Sequence, residues 1–236
     1  MPVDAKPIQN PPLWQLIFSA VFLVIIGASF LWASGDWRWT DGLIFVGIFF
    51  IGSLAASIRM YFRDPGLFKE RLSSPIQKEQ KSWDKIVIFL IMISWIVWYY
   101  VMPLDARRYR WSPDFPVWLK AVGFVITAFG FWVFYETFRE NAFAAPVVKL
   151  QKERKQRVIS TGLYSIVRHP LYSAAALMGV GGPLLVGSVC GLFAGLAMAS
   201  VLAIRSIGEE RMLRDELDGY KAYTQKVRWR LVPFVF

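Results

Sequence analysis

The chain has one cysteine, Cys190, and one histidine, His169. An internal disulfide is therefore excluded, and so is a cysteine-based metal site. Cys190 lies in an apolar run, where a thiol packs as a small hydrophobe. No internal repeat and no low-complexity linker is visible. Nor is there a cleavable signal peptide: the first apolar block has about the length of a full span and lacks a small-residue cleavage site, so it reads as a retained helix. Acidic side chains are scarce as well, 17 against 27 basic ones, for a net charge of +10. In a soluble chain that excess would point to nucleic acid. Here the basic residues flank apolar blocks, and anionic headgroups and membrane topology account for them.

What the sequence has in abundance is apolar surface, 56% of residues with 17% aromatic, gathered in long blocks. Four blocks, Leu13 to Trp32, Leu43 to Tyr61, Ile86 to Met102 and Val117 to Phe138, each approach the ~20 residues that cross hydrocarbon as a helix. Trp37, Trp39, Trp83, Trp98, Trp111 and Trp118 sit near block ends, where amphipathic rings prefer to lie. A fifth block, Leu171 to Ile207, is too long for one span, slightly short for two, and rich in Gly, Ala and Ser. It reads as a tight helical hairpin turning near Gly187-Ser188, with Gly181-Gly182-Pro183 as the alternative turn; small faces allow close helix approach in a bilayer. The expected fold class is all-α integral membrane: four transmembrane helices, a C-terminal helical hairpin and a cytosolic tail. Residues 1–116 would form an N-terminal arm, loose over its first ten residues, and three spans; residues 117–236 would form the functional core.

Basic residues cluster in three segments: Arg59 to Lys85 (Lys78 among them), Arg139 to Arg168, and Arg205 to Arg230. One topology puts all three on one face. It has both termini in the cytosol, four spans, and a hairpin that returns to the cytosolic side.

Three clusters after residue 140 carry ionisable groups that could do chemistry. The first is the run Thr161-Gly162-Leu163-Tyr164 to Arg168-His169-Pro170-Leu171-Tyr172. Pro170 suits the first helical position and pushes His169 towards an extended backbone, so the run should be a loop entering the fifth block. The helix start there offers free N–H groups to an anion; alternatively, His169 simply caps the helix or satisfies a buried carbonyl. The second is Glu209-Glu210, where Arg205–Glu209 and Glu210–Arg214 at i,i+4 would also fit a solvated, salt-bridged helix face. The third is Tyr220, Tyr223, Lys226, Arg228, Trp229, Arg230 and Pro233, which equally fits an interfacial tail on anionic lipid.

In order along the chain, Val147-Val148, Gly162-x-Tyr164, Arg168-His169-Pro170-x-Tyr172, the small-residue hairpin, Glu209-Glu210 and Tyr220-x-x-Tyr223 followed by a basic stretch resemble the isoprenylcysteine carboxyl methyltransferase family, itself related to the membrane phospholipid N-methyltransferases. The resemblance covers roughly residues 117–236. It implies S-adenosylmethionine in a cytosolic pocket beneath a C-terminal connector. Gln156, Gly162, Tyr164, His169, Pro170, Tyr172, Glu209 and Glu210 would form the cofactor site. Arg168 and Arg228, with Lys226 as the neighbouring choice, would face the acceptor, and Glu210 would be the base if the acceptor is an amine. Gln156 stands where many members have histidine, and Ser173 where glycine is common. The implied activity is methyl transfer to a membrane-embedded lipid-like acceptor, a carboxylate such as a prenylated cysteine being favoured. A membrane NADPH-dependent reductase of the sterol-reductase type and a non-enzymatic membrane scaffold are the competing readings.

Overall fold

A computed structural model describes residues 11–77 and 79–236. The expected loose arm over residues 1–10, and Lys78, lie outside the described residues. Eight α-helices occur among them: α1 Leu13–Ser34, α2 Thr40–Arg63, α3 Pro65–Arg71, α4 Ser82–Pro103, α5 Val117–Glu140, α6 Pro170–Val186, α7 Val189–Glu216 and α8 Tyr220–Lys226. A π-helical turn, Leu104–Tyr109, prolongs α4. No strand forms among the described residues; the nearest thing is one isolated parallel bridge, Val167 to Trp229. Five helices are long and apolar enough to cross a membrane: α1, α2, α4 with its π turn, α5 and α7. The hairpin is lopsided. α6 has 17 residues and α7 has 28, so α6 stops short of a full span while α7 extends well past its partner's start. The turn lies at Gly187, in the left-handed conformation at φ 81°, followed by Ser188, whose hydroxyl caps α7.

The long helices close a ring: α1 packs on α2, α2 on α5, α5 on α6, α6 on α7, α7 on α4 and α4 on α1. α6 also touches α2 and α4, which puts the short helix towards the middle. Small residues make this possible. A Cβ on Gly195 of α7 would land on the Gly179 carbonyl of α6, and one on Gly123 of α5 would meet the α6 backbone at Leu185. Large apolar side chains on the outer faces, such as Phe18, Ile25, Ile51, Phe89 and Phe193, stay exposed, as helices solvated by lipid require.

The three basic segments meet at one end of the ring, tied by ion pairs that cross between them. Lys149 reaches Glu70 at 3.1 Å, Arg154 reaches Asp64 at 3.4 Å, and Arg205 grips the fully buried Asp84 at 2.8 Å. The Asp84 carboxylate also accepts from the backbone N–H of Val148, and Arg205 donates to the Pro146 carbonyl. One buried pair thus pins the loop after α5 to α4 and α7. Arg205 therefore serves Asp84, and the i,i+4 pairing with Glu209 that the sequence allows is not made.

Candidate active site

At this end a cavity opens between the 141–169 loop, the start of α6, the last turns of α7, and α8. Each wall has a local cause. Pro170 occupies the first position of α6, as its fixed φ favours, and His169 is the N-cap residue. Gly162 takes φ +55° at the head of a 3₁₀ turn packed on Glu140, and that turn carries Tyr164 inward. Gly219, at φ 83°, breaks the chain after α7 so that α8 folds back with Tyr220 and Tyr223 buried.

His169 stands between the two glutamates, with Nε2 at 3.3 Å from Glu210 and Nδ1 at 3.7 Å from Glu209. Its ring stacks on Tyr172, whose hydroxyl donates to Glu209 at 2.7 Å. The arginine–histidine–proline corner and the twin glutamates, some forty positions apart in sequence, are therefore in direct contact. Their roles diverge. Glu209 is partly exposed and lines the cavity, whereas Glu210 is buried at 2% exposure beneath it, facing Arg168, His169, Arg214 and Arg230. Of the solvated salt-bridged face that i,i+4 spacing would suggest, only the Glu210–Arg214 contact forms, and it is at 3.5 Å.

Arg168 spends its donors inside the protein. Nε and Nη2 go to the two Glu210 oxygens, and Nη1 to the carbonyls of Val227 and Arg228. Backbone bonds from Arg168 to Trp229 and from His169 to Arg230 continue the seam, and Ser173 donates to the Leu231 carbonyl. The C-terminal connector is thereby laced onto the corner. Ser173, at the position where glycine is common in the resembling family, has a specific partner here. Arg228 contributes its carbonyl to this seam, while its exposed guanidinium lies over the Trp229 ring.

The cavity wall includes Gln156, Tyr164, Arg168, His169, Tyr172 and Glu209. Gly162, Pro170, Glu210 and Arg228 support it from outside. Sequence reading missed Asn141, which lines the cavity and donates to the Tyr164 hydroxyl at 2.8 Å; Arg230, named in the tail cluster, approaches Glu210 at 3.2 Å. Asn141 had one visible signal, a polar side chain immediately after an apolar helix. Gln156 accepts from the Gln151 N–H, so its amide is oriented as well as present. Tyr220 is 5% exposed, lines the cavity, and its hydroxyl has no hydrogen-bond partner. An orphaned buried hydroxyl costs about 1–3 kcal/mol, which a ligand's polar atom would recover. Burial, with the nearby Glu210 and Glu209, pushes the Tyr220 phenol upward, and burial does the same to Tyr164, so both remain neutral donors.

The cavity thus combines a partly exposed carboxylate, neutral phenols, an oriented amide and apolar walls (Val147, Met212, Leu213), the mixture of many small-molecule sites. Residues 118–217 match the phospholipid methyltransferase family. The isoprenylcysteine carboxyl methyltransferases that the motifs resemble fit the same superfamily. The matched segment carries α5, the loop, α6 and α7, so the corner and both glutamates lie within it, and the match supports a membrane methyltransferase. A search of curated proteins finds no match to the chain. Asp84, Tyr220, Arg228 and Arg230 fall outside the matched residues, and their places are known from the fold alone.

Proposed function

We propose that the cavity binds S-adenosylmethionine and that the protein methylates a lipid-like acceptor arriving from the bilayer, with a carboxylate such as that of a prenylated cysteine as the favoured nucleophile. The observation that carries the cofactor reading is the unpartnered Tyr220 hydroxyl in the same cavity as Glu209, Tyr172 and Asn141. Glu209 suits ribose hydroxyls or the amino group of the methionyl part, Asn141 and Gln156 suit the base or carboxylate, and Tyr220 donates its hydroxyl. The cofactor, once bound, supplies a methyl group already activated on a sulfonium. The chain's part is to hold the acceptor in line with it and exclude water. A carboxylate oxygen carries no proton, so formation of the new C–O bond needs no general base. That fits a site whose buried carboxylate, Glu210, is fully engaged with cations. Arg168, with its donors committed, acts by holding the connector over the cavity, and the exposed Arg228 remains the arginine of the tail that can meet an acceptor. The positive charge gathered at this end supports a cytosolic placement of the site and both termini.

Calorimetry on detergent-solubilised protein is the direct test: micromolar-range binding of S-adenosylmethionine is expected, weakened by Glu209→Ala. No heat and no thermal shift would sink the cofactor reading. Incubation with labelled S-adenosylmethionine and total membrane lipid then identifies the acceptor. A labelled methyl ester, released by mild base, is the expected product; base-stable label on an amine would replace the carboxylate by a phospholipid amine.

A further inference from the structure

A second opening lies mostly on helices that precede the family match, with one wall on α5. It is a groove between α1, α2, α3 and α5, lined by Ser19, Ser53, Ser57, Phe134, Phe138 and Arg71, among others. Arg71 is half-buried at the end of α3, with its guanidinium 5.0 Å from the centre of the Phe138 ring. Among the described residues it has no carboxylate partner: the adjacent Glu70 pairs with Lys149 instead. Burial, and then the charge of Arg205, push its pKa down to about 10, so it stays a cation at neutral pH. A desolvated cation without an anion is costly and is rare unless a ligand supplies the charge. On the α1 side, the side-chain oxygen of Gln15, one turn from Ser19 on the same face, is also buried without a partner among the described residues.

The groove runs from this interfacial cation into the apolar zone. Ser53 lies ten residues before the end of α2, about 15 Å at the helical rise. The small side chains along it leave room for an alkyl or prenyl chain. Its inner wall is thin. Phe138 belongs to one packed cluster with Ala144 and Leu171, and those two line the methyl-transfer cavity. Tyr172, which lines that cavity and holds Glu209, lies within electrostatic reach of Arg71.

We propose that this groove is the acceptor's entry berth and that Arg71 captures its carboxylate there, before the headgroup passes the Phe138–Leu171 wall to the cavity. The proposal rests on the methyltransferase reading, and it gives the capture of the carboxylate to an arginine that, among the described residues, has no other anion, where Arg168 has one. The guanidinium offers a planar fork to the carboxylate, and the lipid chain lies along α2.

The test uses the full chain in nanodiscs and two radiolabelled probes, a prenylated N-acetylcysteine with a free carboxylate and its carboxamide, both measured without S-adenosylmethionine. Wild type should bind the carboxylate at least ~10-fold tighter than the amide, the size of one charge-assisted pair. Arg71→Gln should bind the two equally while keeping wild-type affinity for S-adenosylmethionine, which also reports that it folds. Ser53→Leu, which narrows the groove without touching the cation, should weaken both probes alike. A preference that survives in Arg71→Gln, or a wild type that binds neither probe or does not distinguish them, overturns the proposal. Failure of S-adenosylmethionine to bind wild type would instead overturn the cofactor reading, because the probe measurements do not depend on it.

Discussion

The two ends of the ring differ in whether every buried polar group has been given a partner. At the far end Asp105 is fully buried, and every bond it needs is present: it accepts from the N–H and hydroxyl of Ser112, the hydroxyl of Ser188 and the N–H of Cys190. Around it Phe30, Phe45, Trp98, Tyr99 and Met102 form a dense core, and Trp98 donates to the Gly179 carbonyl. At the near end, among the described residues, the Tyr220 hydroxyl has no hydrogen-bond partner and Arg71 no carboxylate partner, and Glu209 is only partly enclosed. The first arrangement locks the α4–α5 loop to the hairpin turn. The second leaves binding energy unspent in the protein, available to a ligand. The lesson is that an ionisable residue near a membrane signals function only when its partners within the chain run out.

Four substitutions would break or sharpen that contrast. Glu210→Ala should have the largest effect, since it strands Arg168, His169 and Arg230 together: a loss of about 3–5 kcal/mol of stability, read by unfolding in detergent, with methyl transfer abolished. Asp105→Ala should cost about 3 kcal/mol by orphaning the donors of Ser112, Ser188 and Cys190. Calorimetry on the fraction that folds should nevertheless give an unchanged S-adenosylmethionine affinity. Glu209→Ala reverses the pattern, with stability within about 1 kcal/mol of wild type and cofactor affinity down roughly 10–50-fold. Tyr220→Phe should be smallest. Removing an unpaired buried hydroxyl should raise stability by about 1 kcal/mol, while cofactor affinity falls roughly 3–10-fold. If Tyr220→Phe proved clearly destabilising and left cofactor binding intact, the near end would be a structural cap like the far one.

Much of the near end could be read from residue order. Pro170 after His169 announced a helix start, and the glycine-rich block announced a hairpin whose turn lies at Gly187-Ser188. What residue order concealed was partnership. The spacing of Arg205 with Glu209 suggests a pair along one helix, yet Arg205 is drawn to Asp84, 121 positions away, because that carboxylate is buried where α4 crosses α7. Arg168 read as an arginine for an acceptor, yet the returning connector supplies two carbonyls and α7 supplies Glu210, and together they take four of its N–H donors. Arg71 sat unremarked in a basic segment of seven cations. Its neighbour Glu70 pairs with Lys149, and among the described residues no carboxylate pairs with Arg71.

The sequence by itself determined the medium and the helices, because apolar blocks about 20 residues long have no cheaper solution in lipid than to satisfy their own backbone. It also determined the chemical inventory, one histidine beside a proline and two adjacent glutamates. Tertiary structure alone decided which charges are spent and which are left over. Ion pairing is settled by which helix faces meet, and glycine contacts such as Gly179 with Gly195 fix that over distances no local pattern reports.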